Sequence, residues 1–195
     1  MRLETFSDAV IAIAITLLVL EIHVPQVEEG SPDELWRALG DLWPSYLGFL
    51  ISFVTLGIMW ANHCTIFRYI ARTNHVFTLL NLFLLLCIAL LPFPTALMAD
   101  YLGKPAQQVG LIVYSGTFVV TAVAFNRVWF YASHGGRLLD AAADPGAVRA
   151  ISRRFLIGPP AYLLAFALAF VNATASLVVL IALTIAYVIP YPGRG

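Results

Sequence analysis

A chain of 195 residues that is 61% hydrophobic, 11% charged and formally neutral is far more apolar than a soluble domain, where about 45–50% apolar and about 25% charged residues are usual. The composition reads as an integral membrane protein and supplies no basic patch for nucleic acid. Its apolar runs are continuous rather than alternating, which excludes a β-barrel.

A bilayer-crossing helix needs ~20 mostly apolar residues. Six such stretches follow one another: 3–24, 39–60, 77–98, 109–131, 155–171 and 173–189. The links between them are short, so residues 1–195 read as one all-α membrane domain of six transmembrane helices.

The first span is the unusual one. Arg2, Ser7 and Asp8 sit in its leading turns, and charge inside a span is expensive unless it faces protein or water. It is not a cleaved leader: it has one basic residue, an acidic group before the apolar run, and no A-x-A-like site before Glu21. At about 100° per residue, Phe6, Ala9, Ile13, Thr16, Leu17, Leu20 and Val24 share one stripe, with Glu4, Asp8, Ile11, Ile15 and Ile22 opposite. Copies around a symmetry axis would turn that stripe to the centre. Rings of Ile13, Leu17 and Leu20 would then form a hydrophobic constriction, with Thr16 adding hydroxyls. The same stripe also fits ordinary helix packing.

Asp8 faces away from the proposed axis and is suited to tying span one to a neighbour. Trp60-Ala61-Asn62-His63, at the end of span two and followed by Arg68, is the matching polar group. His63 fits a structural role as well as a functional one.

Further along, residues 28–33 read as an exposed acidic loop with Gly30 and Pro32. Glu21, Glu28, Glu29, Asp33 and Glu34, repeated around a ring, would concentrate cations at an outer mouth; a merely solvated loop fits equally. Gly103-Lys104-Pro105 marks a turn. In the link 134–154, Asp144 before Pro145 predicts a helix start that runs into span five, with Arg149, Arg153 and Arg154 at headgroup level. Asn172-Ala173-Thr174 matches a glycosylation sequon in a turn too tight to use it. Cys64 and Cys87 are read as small apolar residues.

Arg2, Arg68, Arg72, Arg137, Arg149, Arg153, Arg154 and Arg194 fall on one side of this topology. Glu28, Glu29, Asp33, Glu34, Asp41 and Asp100 fall on the other, with Arg37 and Lys104 for balance. The positive-inside rule then puts both termini in the cytoplasm, as an even span count requires. The spans hold no paired carboxylates, Ser/His/Asp set or metal-spaced cluster, so neither an enzyme nor a cofactor is expected.

The segment Arg2-x-x-x-Phe6-Ser7-Asp8, continuing as Ala-Val-x-Ala-Ile-Ala-Ile-Thr-Leu-Leu-Val-Leu-Glu-Ile, closely resembles the signature of the transmembrane protein 175 potassium channels. The resemblance continues through Trp60-x-Asn62-His63, Phe67-Arg68-Tyr69, and Asn81 to Tyr101 with its Leu91-Pro-Phe-Pro-Thr-Ala-Leu run. It covers the first half of the chain; spans four to six match by number and length. It implies a homotetramer of six-span subunits with span one lining a central pore, and a side-chain filter at Ile13, Leu17 and Leu20 beside Thr16. It also implies K+ as the permeant ion, no resident metal, and a prokaryotic cell membrane as the location. Cys64 stands where members often carry a second histidine. The motif begins at the second residue, which implies that no regulatory tail precedes it. The expected function is passive, potassium-preferring cation conduction, against a proton-conducting channel or a non-conducting membrane scaffold subunit.

Overall fold

The computed structural model describes residues 2–27 and 31–188, and these form a helical bundle. In chain order the helices are α1 (Arg2–Leu17), α2 (Pro32–Asp41), α3 (Trp43–Tyr69), α4 (His75–Ala89), α5 (Pro92–Tyr101), α6 (Gln107–Ser133), α7 (Pro145–Ala169) and α8 (Ala173–Val188). Among the described residues, four segments are long and apolar enough to cross a membrane: Arg2–Glu21, Trp43–Tyr69, His75–Tyr101 and Gln107–Gly136. Helix α7 opens on a polar stretch bearing Arg149, Arg153 and Arg154. Helix α8 is apolar but has 16 residues, and residue 189 of the expected sixth span lies outside the described residues.

Four boundaries differ from the sequence expectation, each for a local reason. The first helix does not stay α-helical to Val24: beyond Leu17 it tightens into a 3₁₀ turn, Leu18–Glu21, and becomes extended at Ile22. Residues 28–33 are not simply a loop, because Ser31 caps a helix that starts at Pro32, its Oγ accepting from the Glu34 N–H at 3.3 Å. Asp33 and Glu34 are therefore in the first turn of α2, where carboxylates favour the helix dipole, whereas Glu28, Glu29 and Gly30 lie outside the described residues. The second span is not 39–60: Leu39 belongs to α2, and α3 runs on to Tyr69. No breaker interrupts it, so Trp60 to His63 sit about two turns inside the helix.

The third span, 77–98, is a broken pair, α4 and α5. Pro92 and Pro94 have no N–H to give to the carbonyls four residues back. Those carbonyls, of Ile88 and Leu90, are taken instead by Leu91 N at 3.1 Å and Phe93 N at 3.2 Å. A buried hydroxyl chain secures the break. Thr95 donates to Leu91 O at 2.8 Å, so its oxygen receives the Ser52 hydroxyl at 2.8 Å. Ser52 must then accept from Tyr114 OH, also at 2.8 Å. Helices α3, α5 and α6 are thereby tied with every donor satisfied, as burial in apolar surroundings requires.

Helix α6 packs against α4, α5, α7 and α8, while α1 lies against α3 and α4. Pro159 inside α7 leaves the Phe155 carbonyl without its helical partner, and the Asn126 amide of α6 fills the gap at 2.8 Å. At the arginine-rich end, the link after α6 pairs with the turn after α3: Ala71 N donates to Leu138 O at 3.0 Å and Asp140 N to Tyr69 O at 2.9 Å. The left-handed Gly135 (φ 61°) and Gly136 (φ 65°) turn the chain into it. The helix start expected at Pro145 is present. Asp144 accepts from Gly146 N at 3.1 Å and Ala147 N at 2.9 Å, bonds that hold its carboxyl below the usual carboxylate range.

Candidate functional site: the two faces of the first helix

Helix α1 divides sharply by face. Ser7, Ile11 and Ala14 are buried on the side where α1 packs on α3 and α4, and Leu18 is buried in the 3₁₀ turn, which packs on α3 and α5. Around the helix from them, Phe6, Ile13, Leu17, Leu20 and Val24 are exposed on the subunit, with Ile13 at 58%, Leu17 at 41% and Leu20 at 67%. Thr16 is on the same open side, its hydroxyl donating to Ile13 O at 2.8 Å, which leaves the oxygen lone pairs free.

The inward face is held by polar contacts at the amino-terminal end. Ser7 donates to Leu3 O at 2.8 Å. Its single proton is thus committed, so it accepts the Asn81 amide at 2.8 Å. That orientation presents Asn81 Oδ1 to His63 Nε2, 3.0 Å away, and requires the proton on Nε2. The imidazole stacks on Phe67 with centroids 4.5 Å apart. His63 and Asn81 are both fully buried, and His63 Nδ1 has no partner among the described residues. On the flank, Trp60 Nε1 donates to Asp8 Oδ1 at 3.0 Å.

Ser7, Asp8, Trp60 and His63 are therefore brought together between α1 and α3. Asn62 is not part of this group; it faces a cavity on the other side of α3. Arg2 and Phe6 are exposed and stand outside it. Asn81 was missed as the link that joins α1 to His63. The available signal was chemical: it is a lone amide in an otherwise apolar run of α4, and an unpaired amide is costly there. No group of three or more His, Cys, Asp or Glu residues is placed to hold a metal ion among the described residues.

Bundle and site together define a helical membrane protein whose leading helix is anchored by polar contacts on one face and left open on the other. The family model described as endosomal/lysosomal potassium channel TMEM175 matches residues 2–92. A potassium channel of Chamaesiphon minutus is 48% identical over 94% of this chain and 91% of its own length. One of Streptomyces collinus is 45% identical over 90% of this chain and 85% of its own. The crystal structure of a lysosomal potassium-selective channel TMEM175 homolog from Chamaesiphon minutus superposes with a TM-score of 0.87 at 44% identity, covering 96% of this chain and 95% of that one. The chain belongs to the TMEM175 family, a family of ion channels and not of enzymes.

Proposed function

We propose that this protein is a potassium-preferring cation channel of a prokaryotic cell membrane, a homotetramer in which four copies of α1 line the pore. The observation that carries the reading is the open face of α1. Ile13, Leu17 and Leu20 remain largely exposed on their own subunit, while the opposite face of the same helix is fixed by Ser7, Asn81 and His63. A helix anchored on one side and bare on the other is what a symmetric pore needs from each subunit. The bacterial relatives named as potassium channels support the choice of ion.

The selection mechanism follows from side-chain chemistry. A narrow ring of Ile13, Leu17 and Leu20 forces a cation to shed water, and K+ holds its shell less tightly than Na+. Nothing apolar offsets that loss as a carbonyl cage would, so selectivity is modest. The 3₁₀ turn places Leu20 just before Glu21, where a ring of carboxylates would concentrate cations at the outer mouth. The pore so drawn has six spans per subunit in one domain. The outward apolar faces of α7 and α8, among them Leu156, Ile157, Val178 and Ile185, favour lipid contact for those two helices. The arginines gathered at one end favour cytoplasmic termini.

Currents from the purified protein in planar bilayers, under potassium, sodium and pH gradients, test the proposal. Reversal potentials that follow potassium support it; no current in any gradient overturns it, and reversal potentials that follow pH point instead to proton conduction. Leu17→Ala and Ile13→Asn are expected to change conductance or selectivity with the oligomer intact. Unchanged currents in both would return the open face to ordinary packing.

A further inference from the structure

A cavity of about 60 Å³ lies away from α1, lined by α3, α6, α7 and α8 toward the arginine-rich end. That is well above the ~10–15 Å³ that admits one water. Its polar lining is Thr55, Asn62, Asn126, Arg154, Tyr162 and Tyr187. Two of these are already committed. Thr184 donates to Leu180 O at 3.0 Å, so Thr55 donates to Thr184 across 3.1 Å. The Asn126 amide donates to Ala122 O and Phe155 O.

The others are not committed. Tyr162 is 8% exposed and its ring is stacked on Phe118 with centroids 5.4 Å apart, yet its hydroxyl has no hydrogen-bond partner among the described residues. The Tyr187 hydroxyl stands over Gly158, where a Cβ would be 3.5 Å from it. The Asn62 amide is unengaged among the described residues. Arg154 lies over the Tyr187 ring at 5.8 Å and has neither an ion pair nor a hydrogen bond among the described residues. No carboxylate lines the cavity. The half-buried Arg154 guanidinium and the hydroxyls of Tyr162 and Tyr187 therefore line one pocket with donors in excess and no counter-charge, a lining whose charge and hydrogen bonds an anion would complete.

We propose that this cavity binds a phosphate group, with the Arg154 fork supplying charge and paired hydrogen bonds, and the Tyr162 hydroxyl a third. Arginine's planar donors match phosphate oxygens two at a time. The phosphate comes either from the headgroup of an anionic lipid or from free phosphate in solution. The site is independent of the pore, so it stands or falls apart from the conduction reading.

The test uses the full chain purified in detergent, with its unfolding temperature followed in two titrations. One uses inorganic phosphate against chloride at equal ionic strength; the other uses short-chain phosphatidylglycerol against phosphatidylcholine. Saturable stabilisation by phosphatidylglycerol alone assigns the lipid source, and saturation by inorganic phosphate assigns the free one. Tyr162→Phe keeps the ring and removes only the hydroxyl, and is expected to weaken binding about tenfold, as for a hydrogen bond to a charged group. Arg154→Gln is expected to weaken it further. Arg153→Gln, at the exposed neighbour that does not line the cavity, is expected to leave it unchanged. The proposal is overturned if neither probe stabilises above its control, or if Arg153→Gln weakens binding as much as Arg154→Gln.

Discussion

Replacing Asn81 with leucine isolates the anchor of α1. Leucine has asparagine's four-atom, γ-branched side chain with bulkier methyl ends, so the change removes hydrogen bonds without opening a cavity. Two bonds are lost, one to Ser7 Oγ at 2.8 Å and one from His63 Nε2 at 3.0 Å. Inside a membrane such bonds contribute about 0.6 kcal/mol each. The larger effect is the imidazole: its N–H stays buried with no acceptor, which costs about 1–3 kcal/mol. Asn81→Leu is therefore expected to destabilise by about 2–4 kcal/mol, lowering the unfolding temperature of the purified protein by about 5–15 °C for a chain of this length. His63→Phe alone strands Asn81 Oδ1 instead. The double variant strands neither group and keeps a ring over Phe67, so its loss is expected to fall short of the sum by about 1–2 kcal/mol. Additive losses, or an Asn81→Leu protein that melts with wild type, would show that the burial of these groups is not what holds α1.

The direction of the Tyr114–Ser52–Thr95 hydroxyl chain ranks two further variants by the same melting assay. Thr95→Val leaves the buried Ser52 proton without an acceptor and is expected to cost about 1–3 kcal/mol, whereas Tyr114→Phe removes only the first donor and costs about 0.5–1.5 kcal/mol. At Gly110 a Cβ would stand 3.1 Å from Leu97 O and 3.2 Å from Met98 Cα. These are backbone atoms, so Gly110→Ala must push α5 from α6, at about 1–3 kcal/mol. At Gly40 of α2 a Cβ would meet nothing within 4 Å, and Gly40→Ala is expected to raise stability by about 0.5–1 kcal/mol. The Asp144 carboxyl is held below its ordinary range by the Gly146 and Ala147 N–H groups. A folded-state value below the unfolded one means its contribution is present above the unfolded carboxylate range and is lost as pH falls through the folded value. Asp144→Asn keeps the cap and removes the charge, so the acid-side fall in melting temperature is expected to be shallower in that variant.

Much of this architecture is visible in the chain because the bilayer imposes length and polarity at the same time. The α1 stripe could be drawn from spacing: Ile13, Leu17 and Leu20 are among the residues the subunit leaves open, with Phe6 and Val19 also exposed. Asp8 could be assigned away from that stripe, and it meets Trp60 there. The start of α7 could be placed at Pro145, since an aspartate before a proline needs only local chemistry. What hydropathy alone could not show was how freed backbone groups and polar side chains find partners. The run 77–98 carries an unbroken hydropathy signal, while Pro92 and Pro94 divide it and leave the carbonyls of Ile88 and Leu90 to Leu91 N and Phe93 N. Asn62 and His63 are adjacent in sequence but about 100° apart on a helix; one lines a cavity and the other the α1 anchor, a division that the contacts of α8 and α4 decide.

The two faces of α1 are under different constraints, and the difference bears on which of its residues can change at little cost to the fold. On the inward face every change has a partner to disturb: Ser7 is bound to both Leu3 and Asn81, and Ile11, Ala14 and Leu18 are fully buried. Substitution there is felt as lost packing or an unpaired donor, typically about 1 kcal/mol or more. On the open face Ile13, Thr16, Leu17 and Leu20 are exposed, and Thr16 bonds only to Ile13 O of its own helix. Their identities thus weigh less on the subunit's own packing than those of the inward face. A helix so divided can vary the residues of its exposed face without loosening its anchor, so the polar contacts and the exposed apolar residues can sit within a few turns of each other on one short element.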